Sequence, residues 1–297
     1  LRIMMSAAGS PVAPGIIRHL QKLGHYVIGH DCQPLGPGAS MCNRFVVSQK
    51  AAMHHVTYVS MILECGPNLY LPFLDEELED VCLLNENIVM RSPIDTVKIF
   101  TSKGIQQEKL EHAGLPIAPL DWRGDWIAKP ERGRGSRGIL RGSGALHSGE
   151  VLARALMNYG RIVQKFIDGD EYTVDVITGL GGDFLFGVPR RRIQANSVST
   201  IGQIVMDQEI IGLAKAVVSK FQFYGPINIQ MIREKDTGKL YIIEVNARLS
   251  GSCMFTVMAG WDILADTIRL HQGLPFEPPK HVKNGIVIRR HYVEKFA

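Results

Sequence analysis

The chain has 297 residues, of which 45% are hydrophobic and 21% charged; that length supports more than one packed core, and the balance excludes a disordered or low-complexity chain. With 33 basic against 29 acidic residues the formal net charge is +4, too small a surplus to mark a nucleic-acid binder but compatible with an anionic small substrate. No apolar run approaches the roughly 18 residues of a membrane span, and no signal-type segment opens the chain. The cysteines Cys32, Cys42, Cys65, Cys82 and Cys253 lack C-x-x-C spacing, the pattern of reduced thiols in a cytoplasmic protein.

Leu1 to Ser6 is an apolar strand that runs through a small-residue turn, Ala7 to Pro11, into a helix of about Gly15 to Leu23. Gly24 ends that helix, and His25 to Asp31 is a second strand. This β-turn-α-β order begins a doubly wound, Rossmann-like parallel sheet. Asp31 stands where a dinucleotide site keeps its ribose-binding acid, but the first turn lacks the full G-x-G-x-x-G. Phe45 to Val47 predicts a third strand, Tyr58 to Cys65 a helix, and Asn68 to Phe73 a short strand. Leu74 to Leu78 then opens a helix whose Asp75 and Glu76 suit the helix dipole. The same two acids sit at the carboxyl end of a parallel strand, where substrates bind. His54 and His55 have no ligand spacing and read as solvated.

Ser92-Pro93 reads as a helix start with serine as the cap. A second start lies at Ser102, followed by Lys103 to Ala113 and stopped by Gly114. Strands are expected at Ile117 to Leu120, Trp126 to Lys129 and Arg161 to Phe166, with a helix at Gly149 to Tyr159. Boundaries near residues 93 and 166 give three units, 1–93, 94–166 and 167–297. After Gly169 the pattern is antiparallel, with strands at Tyr172 to Thr178 and Phe184 to Val188, and then Arg190-Arg191-Arg192. Those arginines form either a solvated strip or a carboxylate or phosphate site. A helix of about Met206 to Phe221 follows.

Two stretches carry chemistry. Lys129-Pro130-Glu131-Arg132-Gly133-Arg134-Gly135-Ser136-Arg137-Gly138 places a lysine at a strand end and then three glycines. Glycine lets backbone N–H groups converge on an anion without a Cβ in the way. The glycines match G-x-G-x-x-G, but Ile139 to Gly144 is too short and glycine-broken for the helix that a dinucleotide site needs. The loop is therefore expected to join two strands over a polyphosphate. The second stretch is the hairpin Pro226 to Ile232 and Leu240 to Asn246. A three-residue Asp236-Thr237-Gly238 loop, with Lys235 facing Lys239, sets Gln230 opposite Glu244 and Asn228 opposite Asn246. Glu244, Asn246 and Arg248 then share a face with Gln230 and Asn228, while Val245 and Ala247 point away. One carboxylate among amide oxygens suits Mg2+, which completes its octahedron with phosphate and water.

With these motifs in this order, the chain resembles the ATP-grasp superfamily, and within it the carbamoyl-phosphate-synthase-type carboxylate–amine ligases. The resemblance implies an N-terminal pre-ATP-grasp domain followed by two α+β subdomains with ATP between them. It further implies that Lys103 and Lys129 bind phosphate under the loop formed by Gly133, Arg134, Gly135, Ser136 and Gly138. Gln164-Lys165-Phe166-Ile167 corresponds to the adenine-reading linker and Glu171 to the ribose-binding acid. Gln230, Glu244 and Asn246 correspond to the Mg2+ or Mn2+ ligands. Arg248 corresponds to the arginine of an E-x-N-P-R run in which Ala247 replaces proline. The implied activity joins a small carboxylate to an amine through an acyl phosphate, with Lys129 and Arg248 at the reacting groups. It involves no nucleic acid or membrane and leaves a homodimer open. A small-molecule kinase and a nucleotide-binding regulator without turnover are the alternatives.

Overall fold

In the computed structural model the described residues are 1–51, 55–120, 124–133, 135, 137–143, 159–195 and 198–291. The helix expected at Gly149 to Tyr159 falls almost entirely outside them.

The first sheet is parallel, in the order β3-β2-β1-β4, from β1 (Arg2–Met5), β2 (Tyr26–Asp31), β3 (Arg44–Val47) and β4 (Leu69–Leu71). Helices α1 (Ala13–Lys22) and α2 (His55–Cys65) follow β1 and β3. The strands are short and nearly continuous in apolar residues, as a sheet covered on both faces requires. The β2–β3 connection lies directly on the first turn. A Cβ on Gly36 would stand 2.3 Å from the Cα of Gly9, so only glycine fits. Asp31 is used locally, accepting N–H bonds from Gly9 and Gln33, each at 3.0 Å.

Beneath the carboxyl ends of these strands lies a buried polar knot. The Glu77 carboxylate accepts from Ser6 Oγ (2.5 Å), Tyr70 Oη (2.6 Å), Tyr58 Oη and the N–H groups of Phe73 and Leu74. Because Tyr70 donates to Glu77, its oxygen accepts from His30 Nε2 at 2.9 Å, and Ser48 Oγ lies 3.2 Å from His30 Nδ1. His30 is held as the neutral Nε2–H tautomer, and burial pushes its pKa down to about 3.

The second sheet is small and antiparallel: β6 (Leu140–Gly142), β5 (Trp126–Pro130) and β7 (Arg161–Lys165). The glycine loop joins β5 to β6, as expected of a strand-to-strand hairpin. The third sheet has the order β12-β11-β8-β9-β10-β13. Its strands are β8 (Gly169–Thr178), β9 (Phe184–Ala195), β10 (Ser199–Ile204), β11 (Gly225–Glu234), β12 (Leu240–Asn246) and β13 (Val287–Arg289). Helix α3 (Leu78–Val81) precedes α4 (Ile94–Thr101) and α5 (Lys103–His112); α6 (Gln208–Lys220), α7 (Cys253–Met258) and α8 (Ile263–His271) come later. Helices α4, α5 and α6 bury Val97, Phe100, Leu110 and Val217 in one core with Val174, Ile227 and Ile229 of the large sheet. A second core joins α1 of the N-terminal unit to Trp261, Ile263 and Leu264.

Several expectations change. Ser92 does not cap α4; its hydroxyl accepts from the Tyr224 N–H at 3.2 Å. Ile117 makes an isolated bridge to Ile242 rather than starting a strand. The arginine triplet lies inside β9, not after it. The hairpin closes one residue further in than supposed, with the Glu234 N–H on the Lys239 carbonyl at 2.9 Å. A bulge between Gln230 and Met231 on the pairing ladder restores Gln230↔Glu244 and Asn228↔Asn246. The core demands that bulge: Leu240, Ile242, Val245 and Ala247 all face it, and strict alternation cannot place 242 and 245 on one side.

A native pKa of about 3 for His30 lies below the ordinary 6.5, so the native state disfavours its protonation and stability falls as pH drops below 6.5, down to about 3. The thermal midpoint of His30→Gln is expected to depend less on pH between 6.5 and 4 than the parent's. Parallel pH profiles would remove His30 from the acid response.

Candidate active site

Two clefts meet on one face of the large sheet. The first, about 930 Å³ with its open mouth, runs between the small and large sheets. Lys103, Lys129, Gly133 and Gly135 line one end. Gln164, Lys165, Phe166 and Ile167 line the other end. Glu171, Gln230 and Glu244 form the floor. The second, about 1980 Å³ with its mouth, lies between the large sheet and the carboxyl ends of the parallel strands, where Asp75, Asn246 and Arg248 line it. Arg192, Gln230 and Glu244 belong to both. Arg134 and Ser136 lie outside the described residues. Gly138 does not reach a cleft; its carbonyl accepts from the Arg161 guanidinium, and its φ of +70° shapes the loop. Gly133 and Gly135 also have positive φ, +119° and +66°, as the loop reading requires.

The two lysines are brought together by a residue the sequence reading missed. The Glu131 carboxylate accepts from the Gly104 N–H at 3.1 and 3.2 Å and from the Ser102 hydroxyl, while the Lys103 N–H donates to the Glu131 carbonyl at 3.0 Å. An anion at a helix N-terminus satisfies open N–H groups and suits the dipole. This joint ties the end of β5, and hence Lys129, to the start of α5, and hence Lys103. The Lys103 ammonium then reaches the Gly133 carbonyl at 2.7 Å and Glu244 Oε1 at 3.2 Å. Lys129 is 8% exposed. Burial pulls its pKa down to about 8, against the pull of Glu244 and with the repulsion of Lys103.

At the other end, Gln164 Nε2 donates to Gln107 Oε1 at 2.6 Å, and its Oε1 is buried without a protein partner. A buried acceptor left open beside a cleft suits a ligand N–H. The Phe166 ring carries the Arg141 guanidinium 4.6 Å from its centroid.

The floor is set by strand pairing. Gln230 lies between Thr173 and Glu244, and Asn228 between Asp175 and Asn246. Asn246 Nδ2 donates to Asn228 Oδ1 at 3.2 Å, and Asn228 Nδ2 to the Arg248 carbonyl at 3.0 Å. These bonds leave Asn246 Oδ1 as a possible ligand atom. Among the described residues no group of three or more His, Cys, Asp or Glu stands together. A metal here rests on one carboxylate, Glu244, with amide oxygens. That set fits Mg2+ carried in with nucleotide phosphates.

The three consecutive arginines have three different fates. Arg190 is wholly buried, on Asp175, Thr256, Ser250 and Ser252, and holds the turn after β12 against β8. Arg191 points to the other face and pairs with Asp170 at 3.3 Å. Arg192 donates to Glu171 Oε2 at 3.1 Å and Gln230 Oε1 at 3.3 Å, with its Nε buried and unpartnered. Strand alternation predicts that 190 and 192 share a face; reading the triplet as lying after the strand hid it.

Residues 160–296 match the family model described as ATP-grasp in the biosynthetic pathway with Ter operon. The whole fold matches solved structures of the same architecture. The N5-carboxyaminoimidazole synthetase from Staphylococcus aureus aligns with a TM-score of 0.75 at 13% identity, over 96% of this chain and 81% of that one. The family match covers residues 160–296, and the chain as a whole has the fold of these ATP-grasp structures. Further matches bear on the same ATP-grasp architecture. The biotin carboxylase domain of Hydrogenobacter thermophilus 2-oxoglutarate carboxylase, solved with MgADP, ADP and bicarbonate, gives 0.73 at 16% identity, over 96% of this chain and 73% of that one. The L-amino acid ligase from Bacillus licheniformis gives 0.68 at 17%, over 91% and 74%. No curated protein sequence matches. At these identities the ATP-grasp likeness fixes the fold and leaves the substrates to the site.

An anion seated beside Lys129 would draw its pKa upward, so a nucleotide bound there would take up a proton once the pH exceeds about 8. Titration of MgATP at pH 8.5 in buffers of different ionisation enthalpy is expected to show net proton uptake, with affinity weakening toward tenfold per pH unit above 8. Lys129→Arg, charged throughout, should abolish both. Binding without uptake in the parent would show that Lys129 stays charged in the free protein.

Proposed function

We propose that the chain is an ATP- and Mg2+-dependent ligase that joins a carboxylate to an amine and releases ADP and phosphate. The observation that carries this reading is the meeting of the lysine-lined cleft with a second, larger one across Glu244, Gln230 and Arg192. A phosphoryl group leaving the first cleft enters the second at the candidate metal face.

In the first step an oxygen of the substrate carboxylate attacks the γ-phosphorus. An acyl phosphate forms as the bond to the β-phosphate oxygen breaks and ADP leaves. In the second step the amine forms the C–N bond, phosphate departs with the electron pair of the C–O bond, and the ammonium proton goes to solvent. Phosphoryl transfer asks for positioning and neutral charge more than for covalent protein chemistry. Lys103 and Lys129 supply cations at the phosphate end, and Arg192 supplies one at the junction. Gln164 offers its open acceptor to the base. Glu244 and Asn246 would hold Mg2+, which when bound neutralises the phosphates. The loop on Gly133 and Gly135 covers the phosphates, which keeps water from the acyl phosphate.

The test measures ADP and phosphate together while carboxylates and amines are varied. A ligase yields equal ADP and phosphate, with a joined product only when both reactants are present. A stable phosphorylated acceptor without free phosphate makes the chain a kinase. Tight MgATP binding without turnover makes it a regulator. Glu244→Gln keeps the shape and removes the charge, and is expected to lower turnover roughly 10²–10³-fold, the scale for one preorganised transition-state contact. An undiminished rate in that variant sinks the metal assignment.

A further inference from the structure

The second cleft contains a pair of opposite charges. Asp75 follows β4, at the carboxyl end of the parallel sheet, and Arg248 lies two residues beyond β12. Arg248 Nε donates to Asp75 Oδ1 at 2.7 Å and Nη2 to Asp75 Oδ2, while Nη1 donates to the Leu249 carbonyl at 2.9 Å. The two side chains are 10% and 12% exposed, and both line the cleft beside Glu244. The forked edge of the guanidinium, the edge that grips a carboxylate in two parallel bonds, is thus filled by a carboxylate of the protein's own N-terminal unit.

A simple carboxylate entering this fork displaces Asp75 and leaves it unpaired, with Glu76 and Glu244 also close enough to act on Arg248. A simple amine is attracted by Asp75 and repelled by Arg248. In a site this buried, a charge stripped of its partner is costly. A molecule with an ammonium and a carboxylate on one carbon separates the pair and satisfies both halves, turning one ion pair into two. Beside Asp75 the wall has Phe73 and Leu74, against which an apolar substituent would rest. We infer that the carboxylate substrate is a zwitterion of the α-amino acid class, its ammonium group taken by Asp75 and its carboxylate by Arg248. This rests on the ligase reading for what happens to the carboxylate, but not for the binding itself.

The experiment is calorimetric binding to the full chain with MgADP present, so that turnover is not required. The twenty common L-amino acids are screened first. Each binder is then compared with the carboxylate lacking its amino group and the amine lacking its carboxyl group, as with L-phenylalanine, 3-phenylpropanoate and 2-phenylethylamine. The amino acid is expected to bind at least roughly a hundredfold tighter than either half, the scale of leaving one buried charge unpaired. In Asp75→Asn that preference over the des-amino carboxylate should fall below about tenfold, because the carboxylate alone gains an open fork. A purely structural tie between the two units would instead weaken all three ligands equally. Silence of all twenty amino acids, equal binding of the des-amino acids by the parent, or an unchanged preference in Asp75→Asn each overturns the inference. Amino-acid binding that gives no phosphate release once MgATP and amines replace MgADP would leave it standing and count against the ligase.

Discussion

The arrangement of this molecule depends on the pairing of β8, β11 and β12. Antiparallel ladders put Thr173, Gln230 and Glu244 in one row and Asp175, Asn228 and Asn246 in the next. Everything at the clefts is placed against those rows. Lys103 reaches in from α5 to Glu244, Arg192 from β9 to Gln230, and Arg248 leaves the end of β12 to meet Asp75. The opposite face of the same strands carries Val174, Ile227, Ile229, Met231 and Val245 in a dry core. A shift of one residue would exchange the faces, so the hydrophobic pattern that folds the sheet also aims its polar side chains. As an edge strand β12 needs cover. Gln106 accepts from the Val245 N–H at 2.8 Å and donates to its carbonyl at 3.3 Å, and the Pro116 carbonyl takes the Ile242 N–H at 2.7 Å.

Much of this was legible in the sequence where one residue type answers one physical need. The strand–glycine–strand order around Lys129 gave the hairpin loop, and Ser102 capped α5 as its sequence position suggested, accepting from the Ile105 N–H at 3.2 Å. The polar face of β12 followed from its period of two. What stayed hidden depends on contacts distant in the chain. Glu131 looks like any loop carboxylate until α5 is placed over it. The two partners of the Asp75–Arg248 pair lie 173 residues apart. The bulge did leave a trace: apolar residues at 240 and 242 and then at 245 and 247 change parity, which an unbroken strand does not permit.

The cationic residues illustrate how context divides identical side chains. Arg190 serves a buried network, Arg191 a solvent-facing pair, and Arg192 the junction of the clefts. Lys129 loses protons more readily than a free lysine because it is buried. Arg248 holds its proton more tightly: burial works against its charge, but Asp75 together with Glu244 and Glu76 more than offsets it. The site thus contains one cation that responds to a ligand's charge and another whose charge is fixed by a built-in counterion.

The extra residue at Ile243 bears on how the hairpin tolerates change. A three-residue turn with a straight β12 and a four-residue turn with a bulged β12 both set Gln230 opposite Glu244. They differ only in the outer segment, between the bulge and the exposed tip. The bulge therefore separates the two ends of the hairpin. Leu240 and Ile242, held in the core, pin the outer ladder, so turn residues 235–238 can alter without a displacement travelling down the strand to Glu244 and Asn246. The working surface is mechanically insulated from the part of the hairpin most open to solvent and to sequence drift.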